Sequence, residues 1–142
     1  MSRFLAAALA LTACFSAPAL AENATGSVTV EPGLWAWTHE TIIGQMPINE
    51  SSTQCIHPGQ NQMSLKEMAE ELNNDCQARD ITETNGAYAF TLTCSGQIPG
   101  QAKGSLTKKD GVVEMRATGY ANALGFMAPF TMKASATRQG DC

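Results

Sequence analysis

Five cysteines, two histidines and seven methionines are the residues of this chain that could bind a metal, exchange electrons or cross-link it. Cys14 stands near the start, and Cys55, Cys76, Cys94 and Cys142 are spread through the rest. Those four are spaced too widely and irregularly for a CxxC redox pair or a zinc ribbon. His39 and His57 complete no spaced ligand set. Met46, Met63, Met68, Met115, Met127 and Met132 offer soft thioethers of the kind that bind Cu(I). However, Met68, Met115 and Met132 fall on apolar faces where packing alone accounts for them. Met46, Met63 and Met127 read as loop residues and form no MxxM or MxH cluster, so no metal site is expected. Catalysis fares no better. The chain has no Ser/His/Asp or Cys/His arrangement at a readable spacing, no glycine-rich phosphate loop and no HExxH. His39 lies beyond two tryptophans on one strand face, which would let its imidazole face a cleft. The plainer expectation is a surface histidine at a strand end. The chain is therefore expected to have no catalytic residue and no cofactor, and not to be an enzyme.

Cross-linking remains as the work of the cysteines. The first residues, MSRFLAAALALTACFSAPALAEN, place Arg3 before an apolar run from Phe4 to Ala13 and then small residues ending in Ala19-Leu20-Ala21. That is the layout of a secretory leader cut after Ala21, and the apolar run is well short of the roughly twenty residues that span a bilayer. Leu11-Thr12-Ala13-Cys14 also resembles the lipobox of bacterial lipoproteins. Soluble export, periplasmic or secreted, is expected from the Ala-x-Ala site, with a lipid anchor through Cys14 as the alternative. Residues 1–21 then form the leader and 22–142 the mature domain. Its four cysteines, in an oxidising compartment, are expected to form two disulfides.

Removing the leader takes away Arg3, one of 9 basic residues, and moves the net charge from −4 to −5. An acidic chain of this length can build one core, and its charge argues against nucleic acid as a partner. A membrane partner is expected only if Cys14 is lipidated. Glu67, Glu70, Glu71, Asp75, Asp80 and Glu83 cluster, and Lys103, Lys108, Lys109 and Arg116 follow later. Both clusters are read as solvated faces.

The elements that must position these residues are mostly strands. GLWAWTHETII puts Trp35 and Trp37 on one face at period two, ending at Gly44 and Pro47, and INESSTQCI can return beside it with Cys55. HPGQNQ reads as a loop. SLKEMAEELNN is the one helix: Ser64 and Glu67 make a capping-box pattern, and Leu65, Met68, Ala69 and Leu72 share a face. Asn85-Gly86 and Asp110-Gly111 each sit between alternating runs and predict hairpins. FTMKASATR supplies the last strand, with Pro129 at its beginning or at an edge. The expected fold is mainly β: a curved antiparallel meander or small, partly open barrel of six to seven strands with one short helix.

Register bears on the cysteines. A three-residue Thr84-Asn85-Gly86 turn sets Glu83 opposite Ala87 and Cys76 opposite Cys94. A two-residue Asn-Gly turn sets those cysteines on opposite faces of the hairpin. The first register is the expected one. It leaves Cys55 for Cys142, so that the second bridge ties the segment around Cys142 to an early strand.

Several stretches together resemble a known family. EPGLWAW at the start of the domain, a cysteine about twenty residues later, a cysteine opening the strand after the helix, FTLTCSG and a closing GDC are similar to the bacterial exported domain of unknown function 3617 family. Pro32 to Trp35, Cys94 to Gly96 and Gly140 to Cys142 match best. The Met-Pro-rich tract common between the first two strands is reduced here to Met46-Pro47. The resemblance implies an envelope-located small β domain and no established activity.

The leading functional expectation is a structural or interaction module, with an envelope protein as one class of partner. The alternative is a β-barrel cavity that binds a small apolar or amphipathic ligand, and Cu(I) binding through Met and His stands third. The residues expected to touch such a ligand are Trp35, Trp37, Tyr120, Phe126 and Phe130. A connected apolar interior volume would favour ligand binding, and a filled interior would favour the module.

Overall fold

The computed structural model describes residues 25–142. The leader, its cleavage site after Ala21 and the Cys14 lipobox lie outside the described residues. The elements in chain order are β1 (Ser27–Thr29), β2 (Gly33–Ile43), β3 (Met46–Ile56), β4 (Gln62–Ser64), α1 (Leu65–Leu72), β5 (Cys76–Thr84), β6 (Ala87–Cys94), β7 (Gly100–Lys109), β8 (Val112–Ala123) and β9 (Phe126–Gly140). Seven strands form one antiparallel sheet in the order β3-β2-β9-β8-β7-β6-β5, and β1 and β4 form a separate two-stranded ribbon. The sheet is curved and open: β3 and β5 are its edges and do not pair with each other. Strands β5 to β9 run as a continuous meander, and the β2–β3 hairpin joins it through β2 against β9. The ribbon was not legible in the sequence, because three residues carry too little alternation to register as a strand.

Two-residue turns link most neighbours. Asn85-Gly86, Asp110-Gly111 and Leu124-Gly125 each have both residues at positive φ, the backbone whose twist matches the flanking strands. Asn85-Gly86 is thus the tight turn, and the expected three-residue turn is corrected: Thr84 faces Ala87 and Glu83 faces Tyr88. The cysteines nevertheless meet. Between Arg79 and Thr82 the register shifts by one residue, and beyond it Cys76 faces Cys94. Asp80 lies at φ 51° within this bulge, where an extra residue in the left-handed region bends the strand. The slip turns Ile81 toward the core. Pro47, expected to end the first hairpin strand, lies inside β3, where an edge strand tolerates its missing N–H. Pro129 is the fourth residue of β9, just past the end of β2, and its carbonyl accepts from Gly44 N at 2.8 Å.

Alternation on the strands places Trp35, Phe90, Leu92, Ala102, Leu106, Val113, Met115, Ala117, Met132 and Ala136 on the inner face. Val28 and Val30 of the N-terminal segment and Leu65 and Ala69 of α1 cover part of that face. The helix forms as its pattern predicts. Ser64 is the N-cap, accepting from Glu67 N at 3.1 Å, and Lys66 pairs with Glu70 at 2.6 Å across one turn. The ribbon is tied down at the end of the sheet near the Asn85-Gly86 and Asp110-Gly111 turns. There Lys108 Nζ donates to Thr29 O, and Tyr88 Oη donates to Ser27 O at 3.1 Å. Desolvation, and the Glu83 carboxylate opposite, raise the pKa of Tyr88 above its ordinary 10.0.

Candidate functional site: an apolar groove on the inner face

Because the ribbon and helix cover only part of the inner face, a groove of about 570 Å³ remains beside them. Its larger apolar side chains include Trp37 and Ile43 of β2, Leu92 of β6, Met115 of β8, Phe130 of β9 and Met68 and Leu72 of α1. Small residues keep it open: Ala102, Ala121 and Ala134 line it where larger side chains would fill it. The Cys76–Cys94 pair also borders it.

Polar groups gather along one side. His39 lines the groove, its Nε2 lies 2.9 Å from Thr41 Oγ1, and its Nδ1 lies 4.0 Å from Glu50. Glu71 and Asn73 of the helix end complete this side. A more polar cleft of about 640 Å³ adjoins it, sharing Trp37, His39, Glu50, Met68 and Glu71. The buried Trp37 Nε1–H has no protein acceptor, alone in this among the buried side-chain polar atoms of the described residues. Such a donor ordinarily finds a partner when buried.

The aromatic residues singled out from sequence part company here. Trp37, Tyr120 and Phe130 line the groove. Trp35 is 1% exposed in the core, donating its Nε1–H to Glu31 O at 2.9 Å. Phe126 stands outside the groove on the β8–β9 hairpin, exposed. Period-two alternation assigns a face but not what lies over it, so sequence could not separate Trp35 from Trp37. His39 is a correction: β2 runs on to Ile43, so the imidazole sits in mid-strand on the groove wall rather than at a strand end. The methionines are dispersed. Met115 and Met132 are core residues, while Met46, Met63 and Met127, expected in loops, lie on strands. Among the described residues no group of three or more His, Cys, Asp or Glu is placed to hold a metal ion.

The structure joins Cys55 to Cys142 and Cys76 to Cys94, with Cα separations of 5.9 and 4.0 Å. Two disulfides are consistent with an oxidising location. The stretches that carried the resemblance prove to be corners beside these bridges. Gly33, at φ 144°, packs so closely on β9 that a Cβ would lie 2.3 Å from Gly140 O. Arg138 Nε donates to Pro32 O at 3.0 Å and its Nη2 reaches Asp141. Cys55 and Gly140 both face Leu34, so the Cys55–Cys142 bond passes over the end of β2. In the other corner Ser95 N donates to Asp75 O at 3.0 Å, and a Cβ on Gly96 would strike the Asp75 carboxylate. These motifs hold the frame, and Trp37, Leu92 and the Cys76–Cys94 pair among them also line the groove.

A family model described as Protein of unknown function (DUF3617) matches residues 30–142. No curated protein and no solved structure matches the chain. The match starts just before the Pro32–Trp35 corner and runs through Cys142, so the chain belongs to the DUF3617 family.

Proposed function

We propose that this domain binds a small amphipathic molecule in the groove on its inner face, and that it acts by binding rather than by catalysis. The observation that carries the reading is the groove itself: about 570 Å³ walled by Trp37, Ile43, Met68, Leu72, Leu92 and Phe130. That is within the size range of small-molecule sites, with the usual few polar groups along one side. The ligand's polar end is uncharged or cationic, because Glu50 and Glu71 border the groove without a Lys or Arg among its lining residues. It carries a hydrogen-bond acceptor to meet the Trp37 Nε1–H. The disulfides support a domain exported by the leader at residues 1–21, working in the periplasm or outside the cell.

The test is titration with N-phenyl-1-naphthylamine, a neutral apolar dye, against the protein and an Ala134→Phe variant. Ala134 lines the groove at a half-buried position, so a phenyl ring there fills space without replacing a core residue. The dye should bind the parent and bind the variant about tenfold or more weakly, with thermal unfolding little changed. Equal binding by both, or none by the parent, would remove the groove as a binding site.

A further inference from the structure

We propose that the end of the sheet carrying the β2–β3, β6–β7 and β8–β9 connections docks onto a lipid bilayer, with the β8–β9 tip inserted. Three connections lie together there. Ile43 faces Phe130 and Gly44 N donates to Pro129 O, which sets the β2–β3 turn beside the base of the β8–β9 hairpin. Gly100 faces Ala121 and Asn122 N donates to Pro99 O at 2.7 Å, which sets the β6–β7 loop on its other side.

The three connections carry no charge, and the α1–β5 connection at this end carries only Asp75. Residues 41–49, 95–102 and 117–132 contain no Asp, Glu, Lys, Arg or His. The nearest charged residues are Asp75 beside Gly96, Glu40 and Lys133 facing each other on β2 and β9, Lys103 on β7, and Glu50 and Glu71 on the groove wall. Exposed here are Met46, Ile48, Ile98 and Tyr120, with Leu124 at 98%, Phe126 at 77% and Met127 at 68%. At the opposite end the turns are Asn85-Gly86 and Asp110-Gly111, with Glu83, Lys108 and Lys109 beside them.

The tip residue sharpens the contrast. Asn85, Asp110 and Leu124 occupy the same turn position at φ 51°, 51° and 53°. Asn and Asp accept the left-handed region readily, and a leucine pays a steric penalty there. Leu124 gains no packing in return, being almost wholly exposed. A residue that is unfavourable in its backbone and unsupported in the fold is explained by what it meets outside. The missing charges identify that surface: hydrocarbon penalises every charge brought into it and accepts Leu, Phe and Met, with Tyr120 suited to the boundary. With no Lys or Arg on the three connections, docking needs no anionic lipid and is insensitive to salt.

The surface continues into the groove, since Ile48, Ile98 and Tyr120 belong to both. A ligand with an apolar body could therefore pass between bilayer and groove without crossing water. Docking itself does not depend on the groove being filled, so the two readings fail separately.

The experiment is flotation of the purified protein with phosphatidylcholine vesicles at low and high salt. It is run beside a triple variant, Leu124→Asn, Phe126→Ser and Met127→Ser, and the single Leu124→Asn. The parent should float at both salt concentrations. The triple variant should lose about tenfold or more in partitioning, while keeping its disulfides, its thermal unfolding and its binding of N-phenyl-1-naphthylamine. Leu124→Asn puts a well-suited residue into the turn and preserves the fold, so its smaller loss of flotation reads the tip alone. A parent that stays with the soluble fraction would overturn the proposal. So would variants that float like the parent, since the lipid contact would then lie elsewhere. Self-association of the parent, abolished in the triple variant and without flotation, would make this end an interface between copies and would also overturn it.

Discussion

Gly33 shows how a single position holds a corner. Its φ of 144° lies where only glycine is comfortable, and the β9 backbone leaves no room for a methyl group. Gly33→Ala should lower stability by at least about 2 kcal/mol, measured by urea unfolding under non-reducing conditions. A change within about 0.5 kcal/mol would mean that β2 and β9 can separate there without loss. At this scale the sequence was legible where residues act through the chain itself. The Ser64 cap and the apolar stripe of α1 are local, and both could be read directly. The separation of Trp35 from Trp37 was not, because it depends on a cover made by residues far away in sequence. Trp37 Nε1 could not be found from sequence either, since an unmet hydrogen bond has no local signature.

Between residues and the whole, the β5–β6 hairpin is the instructive element. Its turn and its bulge make opposite one-residue choices of register, and only together do they put Cys76 across from Cys94. A dipeptide such as Asn-Gly announces a turn, whereas ARDIT has nothing to announce a bulge beyond one aspartate. The meeting of the cysteines was therefore readable and its cause was not. Deleting Asp80 should remove the bulge and leave an unbroken ladder, in which Ile81 alone faces Phe90 and Cys76 still faces Cys94. Non-reducing peptide mapping of that variant should find the Cys76–Cys94 link intact. Asp80→Val, by contrast, keeps the extra residue but penalises its left-handed backbone, and should raise the share of scrambled pairs. Loss of the link in the deletion variant would show that the hairpin slips to another register once the bulge is gone.

For the molecule as a whole, β2 is the joint on which the sheet depends, lying between β3 and β9 with both ladders along its length. The Cys55–Cys142 bond secures that joint over a separation of 87 residues, against 18 for Cys76–Cys94. On the chain-entropy account, Cys55→Ser with Cys142→Ser should cost about 4–5 kcal/mol and the hairpin pair, replaced likewise, about 3. Thermal unfolding of the two double variants should follow that order. The reverse order would assign the larger share of stability to the hairpin and its side of the groove. Fold class, helix and hairpins could be read from the sequence because they follow from alternation, capping and turn chemistry. The groove could not, since it arises from where β1, β4 and α1 come to lie.

The same joint sets a problem of timing. A chain that emerges N-terminus first presents β2 and Cys55 before the strand that completes β2 and the sulfur that locks it. Meanwhile Cys76 and then Cys94 appear, so the first thiol within reach of Cys55 is a wrong one. The hairpin can protect the chain from this error by closing its own bond first, since its contacts are local and form quickly. A second safeguard is thiol–disulfide exchange, which undoes an early mismatch once Cys142 arrives. Assembly of this domain is thus a race between a short loop and a premature bond, and the winner decides whether β2 ever reaches β9.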